Sequence, residues 1–198
     1  QFISQTLAHL QQQQMSVPVA TVVNFPGGDL PVEQVVQQIK EAIALGATEI
    51  DAVLPYKALL AGDYAAVKHF LSAVRLACGT VCLKVIIESG ALGTAQQICK
   101  ATELTIEGGA DFVKTSTGKV PVGVTLEAAR IILTAIASAG RPVGFKASGG
   151  VRTVPQALEL LQMYEDITGQ LATPAGMRLG ASTLLTELLA ELETAKSL

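Results

Sequence analysis

The segments Gly46-Ala47-Thr48-Glu49-Ile50-Asp51 and Gly109-Ala110-Asp111-Phe112-Val113-Lys114 share one pattern, in which a charged residue falls five positions after a glycine. Each glycine ends an amphipathic stretch, as helix-terminating glycines do. A short apolar run follows, of the kind that forms a strand buried on both faces. The alternation extends along the chain. Strand candidates are Val19–Phe25, Glu49–Leu54, Val81–Glu88, Asp111–Ser116, Pro142–Ala147 and Met177–Ala181, whose starts lie 30, 32, 30, 31 and 35 residues apart. Between them lie stretches such as Val32-Val35-Val36-Ile39-Ile43 and Leu126-Ala129-Ile132-Leu133-Ile136, with apolar positions three and four apart. Gly79 and Gly140 also stand where helices should stop. Strand and helix alternating at this interval mean βα units and a parallel sheet. The predicted fold is α/β, a (β/α) TIM-type barrel, with six of its eight strand units visible in the chain.

The 198 residues are 49% hydrophobic and 16% charged, with a formal net charge of −3. An average domain carries about 25% charged residues, so polar surface is scarce. A single domain of this length buries roughly 70% of the surface its unfolded chain exposes, and residues 1–198 read as one such domain. This composition excludes disorder. Fourteen Lys and Arg against 17 Asp and Glu give no basic surface for nucleic acid. A membrane span needs about 18 uninterrupted apolar residues, and the longest runs, Val81–Ile87 and Ala128–Ala139, are broken by Lys84 and Arg130. No basic segment precedes an apolar one at the start, so no signal peptide is expected. Cys78, Cys82 and Cys99 form no CxxC pair and read as reduced, mostly buried thiols of a cytoplasmic protein.

Parallel strands under helices are apolar on both faces, so charges inside them are the anomaly to follow. Asp51, Lys84, Lys114 and Lys146 are such charges. Strands alternating in a barrel feed the same interior layer, so the repeated pattern predicts Asp51 and Lys114 at one height in one interior. The bland alternative is a set of structural ion pairs, or lysines reaching to the rim. Three lysines converging on one aspartate strain that alternative, because desolvation costs roughly several kcal/mol per ion. Folds tolerate it mainly where chemistry needs it.

A lysine held in an apolar interior beside a second ammonium loses proton affinity through desolvation and like-charge repulsion. Its free amine condenses with a carbonyl to a Schiff base, an electron sink that lets a neighbouring carbon–carbon bond break or form. A nearby carboxylate can move the protons. These are the parts of a class I aldolase, which needs neither metal nor cofactor. His9 and His69 lie in helical stretches far from the strand ends and read as surface or packing residues.

Lys146-Ala147-Ser148-Gly149-Gly150-Val151-Arg152 places two glycines just after a strand, where backbone N–H groups can approach an anion. Leu179-Gly180-Ala181-Ser182-Thr183 repeats the arrangement, with Ser182 as N-cap of a closing helix over Leu184–Leu192. Loops after the last two strands commonly bind phosphate in these barrels, although Gly-Gly alone also marks an ordinary turn. Thr115-Ser116-Thr117-Gly118-Lys119 adds hydroxyls and a cation, without the GxxxxGK spacing of a Walker loop.

The segments Ala20–Pro26, Glu49–Tyr56, Leu83–Glu88, Gly109–Lys119 and Gly144–Arg152 resemble deoxyribose-phosphate aldolase, in that family's order and across nearly the whole chain. The most specific are ADFVKTSTGK and GFKASGGVR. The resemblance implies a (β/α) barrel that cleaves 2-deoxy-D-ribose 5-phosphate to D-glyceraldehyde 3-phosphate and acetaldehyde in deoxynucleoside breakdown. It implies Lys114 as the Schiff-base lysine, Lys146 as the second lysine that lowers its pKa, and Asp51 as the carboxylate of the proton relay. Lys84 would support that relay and is grouped with the binding residues. Gly149, Gly150, Gly180, Ser182 and Lys119 would contact the phosphate and substrate, and Thr183 replaces another small hydroxyl residue. The implied partner is a small phosphorylated sugar, with neither nucleic acid nor membrane.

Two departures from the family pattern stand out. The family begins with two further strand segments, carrying a leucine–aspartate–threonine motif and a cysteine–valine–asparagine-like motif. Here the chain opens in what resembles the helix after the second of them, Phe2–Gln13. Sheet edges left this way need covering by another chain or a second subunit, as in a homodimer. The chain also stops at Leu198 without the tyrosine-ended tail of some members. Two competing readings remain: a barrel fragment with impaired catalysis, and a phosphate-binding isomerase using Asp51 and Glu88.

Overall fold

A computed structural model describes residues 2–196. The chain runs α1 (Ile3–Gln12), β1 (Ala20–Val23), α2 (Val32–Ala44), β2 (Glu49–Val53), α3 (Tyr56–Leu60), α4 (Tyr64–Cys78) and β3 (Cys82–Ile86). It continues with α5 (Ser89–Leu92), α6 (Ala95–Glu107), β4 (Phe112–Lys114), α7 (Leu126–Ala137), β5 (Gly144–Ser148), α8 (Val154–Thr168), β6 (Met177–Gly180) and α9 (Thr183–Lys196). All six predicted strands form, each trimmed at one or both ends. They pair in parallel and in chain order, β1 to β6, with helices between them. The result is part of a TIM-type barrel wall whose end strands, β1 and β6, each pair on one side only.

Local chemistry starts and stops these helices where the pattern expects. Asp63, Thr94, Thr125 and Thr153 each accept a hydrogen bond from the backbone N–H three residues on, capping α4, α6, α7 and α8. Such a cap is worth about 1 kcal/mol. Gly46, Gly79, Gly109 and Gly140 follow α2, α4, α6 and α7 with positive φ, which a side chain would resist. The closing helix starts at Thr183, directly after Ser182, and reaches beyond the predicted Leu192.

Apolar side chains of strands and helices form one buried cluster from Ile3 to Leu184. β2 is buried at all five positions, as a central barrel strand should be. The end strand β1 is half open, with Ala20 and Val22 exposed. Cys78 is buried, which pushes its thiol up to about 11, whereas Cys82 and Cys99 are only half-buried. All three are free thiols, and the expectation of mostly buried cysteines holds for Cys78 alone. No helix among the described residues is long and apolar enough to cross a membrane.

Candidate active site

Two hydrogen-bonded rows of the sheet define the site. One runs Asp51–Lys84–Phe112–Gly144, the other Val53–Ile86–Lys114–Lys146–Arg178. Tilted barrel strands climb by about one residue per strand. Positions two strands apart are therefore level when offset by two residues. Lys114 stands two residues beyond Phe112, and Lys146 two beyond Gly144. Asp51 is thus level with Lys114, and Lys84 with Lys146.

The side chains converge accordingly. Asp51 Oδ2 accepts from both Lys114 Nζ and Lys146 Nζ at 2.7 Å, and Oδ1 accepts from Lys84 Nζ at 2.9 Å. Burial alone would raise the Asp51 pKa, but the three ammonium groups outweigh it and hold the carboxyl far below the usual range. Lys84 is drawn the other way. Burial disfavours its charge, yet Asp51 and Glu49 overcome that and raise its pKa. For Lys146, burial and the positive charges of Lys114 and Lys84 prevail over Asp51, so its pKa falls below the ordinary lysine value.

One further carboxylate, Glu49, and one further cation, Arg178, complete this charged interior. Glu49 accepts from Lys84 Nζ at 2.6 Å and pairs with Arg178 across the interior at 3.1 Å. The Arg178 guanidinium also lies over the Phe112 ring, 5.1 Å from its centre. Glu49 and Arg178 were legible as charges inside predicted strands. Glu49 lies two residues from Asp51, hence on the same strand face. Neither falls five positions after a glycine, the spacing that Asp51 and Lys114 share. Lys84, expected to support the relay and to take part in binding, is fully buried, with its ammonium engaged by Glu49 and Asp51.

A cavity of about 360 Å³ opens beside the lysines, lined by Lys114, Lys146, Ser116 and the predicted Gly149, Gly150, Gly180 and Ser182. Lys119 is not among its lining residues, whereas Arg152, which ends the GFKASGGVR segment and carried no expected role, is. Among the described residues, the N–H groups of Gly150 and Val151 have no backbone acceptor, and a Cβ at Gly150 would meet open space. The Thr115 hydroxyl bridges to β5, donating to the Ser148 carbonyl at 2.9 Å and accepting from the Ser148 N–H at 2.9 Å. Ser148 in turn holds Ser116 through its hydroxyl. Glu88 is buried and takes the Thr117 N–H and hydroxyl. Its carboxylate therefore orders the loop after β4, which removes it from the carboxylate pair that the isomerase reading needs. Lys114 and Lys146 also line a second cavity of about 460 Å³, toward α1 and β1. His9 and His69 are exposed on α1 and α4, and no cluster of metal-binding side chains occurs among the described residues.

A family model described as DeoC/LacD family aldolase matches residues 2–186. A structure from Coccidioides immitis described as a deoxyribose-phosphate aldolase is 33% identical, with a TM-score of 0.83, covering 95% of this chain and 70% of its own. One from Toxoplasma gondii ME49, described likewise, is 26% identical with a TM-score of 0.88, covering 98% and 78%. The deoxyribose phosphate aldolase of Aeropyrum pernix, described as tetrameric, is 25% identical with a TM-score of 0.77, covering 98% and 75%.

Proposed function

The chain belongs to the DeoC/LacD family of aldolases, and from that premise we propose that it cleaves 2-deoxy-D-ribose 5-phosphate to D-glyceraldehyde 3-phosphate and acetaldehyde through a Schiff base on Lys114. The observation that carries the reading is the pair of lysine nitrogens on one carboxylate oxygen, Asp51 Oδ2, each at 2.7 Å and each lining a cavity.

The Lys114 amine adds to the C1 aldehyde carbon of the open-chain sugar, and water leaves to give a protonated imine. A base takes the C3 hydroxyl proton, the C2–C3 bond breaks, and its electron pair flows into the imine to form an enamine. The three-carbon phosphate departs as an aldehyde. The enamine is protonated on carbon, and water releases acetaldehyde and the amine. Asp51 stays ionised at neutral pH because three cations surround it, which suits it to bridge the two lysines rather than to hold a proton. Lys146, with its lowered proton affinity, is the better proton carrier. This refines the expected division of labour, in which the carboxylate itself moved the protons. The Gly149–Gly150 turn, Ser182 at the start of α9 and Arg152 surround the cavity that would take the phosphate. On this reading the partner is a small phosphorylated sugar, the setting is the cytoplasm and the assembly is a homodimer.

Incubation with the sugar phosphate or with acetaldehyde, followed by borohydride reduction, tests the proposal. Added mass at Lys114, absent in Lys114→Arg, is the expected result. Folded protein without an adduct overturns it.

A further inference from the structure

The Glu49–Arg178 pair has no place in the chemistry above, yet it sits directly beneath it. Arg178 shares a row with Lys114 and Lys146, so by the climb of the strands it is level with Phe112 and Glu49, one layer lower. Its contacts agree, with Glu49 at 3.1 Å and the Phe112 ring at 5.1 Å. The Glu49 side chain is 8% exposed and spends both oxygens on Arg178 and Lys84. Lys84 is thereby divided between two carboxylates, at 2.6 Å from Glu49 and 2.9 Å from Asp51.

We propose that Glu49, held between Lys84 and Arg178, is a positioning residue for the lysine pair: it anchors Lys84 on Asp51 Oδ1, leaves Oδ2 to Lys114 and Lys146, and supplies the negative charge that offsets the cations of the layer above. This role rests on the aldolase reading for its consequence in catalysis, but its electrostatic content can be measured without turnover. Among the described residues, removal of Glu49 leaves Asp51 as the one carboxylate paired with Lys84, Lys114 and Lys146, and leaves Arg178 without its ion pair. Buried like charges then compete for one carboxylate, and the ammonium that yields is the one whose proton affinity is already reduced, Lys146. The charged groups facing Lys146 are Asp51 from β2, Lys84 from β3 and Lys114 from β4, with Arg178 its row neighbour on β6. Those facing Glu49 are Lys84 and Arg178, with the Cys82 thiol nearby.

The test is competitive acylation of lysine amines from about pH 6 to pH 11, with the Lys146 peptide read by mass spectrometry. Glu49→Gln lowers the Lys146 titration midpoint by roughly half to one pH unit, or about three- to tenfold more free amine at a given pH. Glu49→Asp, which keeps the charge, restores most of it. Arg178→Gln moves the midpoint up, and this second variant decides the matter if Glu49→Gln does not fold. A Lys146 midpoint unchanged in a folded variant overturns the inference. A parent protein with no borohydride-trapped adduct at Lys114 would end the aldolase reading while leaving this titration readable, so the two failures are distinguishable.

Discussion

Replacing Asp51 with asparagine keeps the shape of the side chain and removes the charge on which three ammonium groups converge. The parent carboxylate is 3% exposed and accepts at 2.7, 2.7 and 2.9 Å. Breaking a buried ion pair by deleting one partner costs about 3–5 kcal/mol, because the remaining charge is buried without compensation. Lys84 retains Glu49, and the Lys114 and Lys146 side chains are 10% and 16% exposed, open to water through their cavities. These features place the loss at about 3–4 kcal/mol near pH 7. At about 2–4 °C per kcal/mol for a domain of this size, Tm falls by roughly 6–16 °C. The pH dependence carries the diagnosis. In the variant, the folded state holds lysine protons more weakly than the unfolded chain does. Stability therefore rises as pH climbs from neutral toward the unfolded lysine value of about 10.4. At the acid end the parent loses its own advantage, since the depressed Asp51 pKa stabilises above about pH 3.9 and not below the folded value. The difference between parent and variant is widest near neutrality and narrows in both directions. Thermal melts by circular dichroism across that range measure it. A variant melting within about 2 °C of the parent at pH 7, or a deficit flat up to about pH 10, would refute the reasoning.

Lys146→Leu removes both the proton carrier and the positive charge beside Lys114, so activity falls and the residual pH profile moves toward higher pH; a residual profile that does not shift counts against the pairing. Ser182→Glu sets a carboxylate against a bound phosphate, so KM rises more for phosphorylated than for unphosphorylated substrates, and equal effects remove Ser182 from the phosphate site. A Cβ at Gly123 would collide with the Gly149 carbonyl oxygen, which accepts from the Val124 N–H at 2.9 Å. Gly123→Ala therefore displaces the Gly149–Gly150 turn, raising KM for the phosphorylated substrate and lowering Tm by a few degrees, roughly 1–3 kcal/mol of overpacking. Steady-state kinetics beside a melt settles whether the turn or only the fold has suffered.

The strands were legible because burial under helices makes them short and largely apolar, so that the few charges inside them stand out, and because glycines mark the preceding helix ends. Asp51 and Lys114 were legible as one layer because β2 and β4 repeat the same spacing after Gly46 and Gly109. That rule finds residues that share a height and misses those one step away. Arg178 is such a case. It lies inside a predicted strand, but its partner Glu49 is 129 residues distant, and no local spacing joins them. Arg152 carried no expected role for a different reason: it follows the glycine turn, and the cavity it lines is formed jointly by the loops after β5 and β6. Lys119 fits the family motif, yet it sits outside that cavity's lining, since a motif gives sequence position and not direction.

Strand climb also explains why the site is open where it is. On β6, the position level with Asp51 and Lys114 is not Arg178 but Gly180, two residues on. A Cβ there would lie 2.9 Å from Ser148 Cβ and 3.4 Å from Lys146 Cε, so any side chain would press on the lysine that carries the lowered proton affinity. The cation belonging to β6 is placed one layer down, where Glu49 pairs with it, and the layer of Asp51 and Lys114 meets only bare backbone on β6. A six-stranded wall can thus hold four cations beside two carboxylates and still leave room for an anionic ligand. The lower layer, Glu49–Arg178 over Phe112, fixes the upper one, while Lys114 and Lys146 line the cavity beside Gly180. Moving the arginine from 178 to 180 would reverse that division. It would fill the cavity and set a guanidinium against Lys146, while leaving Glu49 with Lys84 alone.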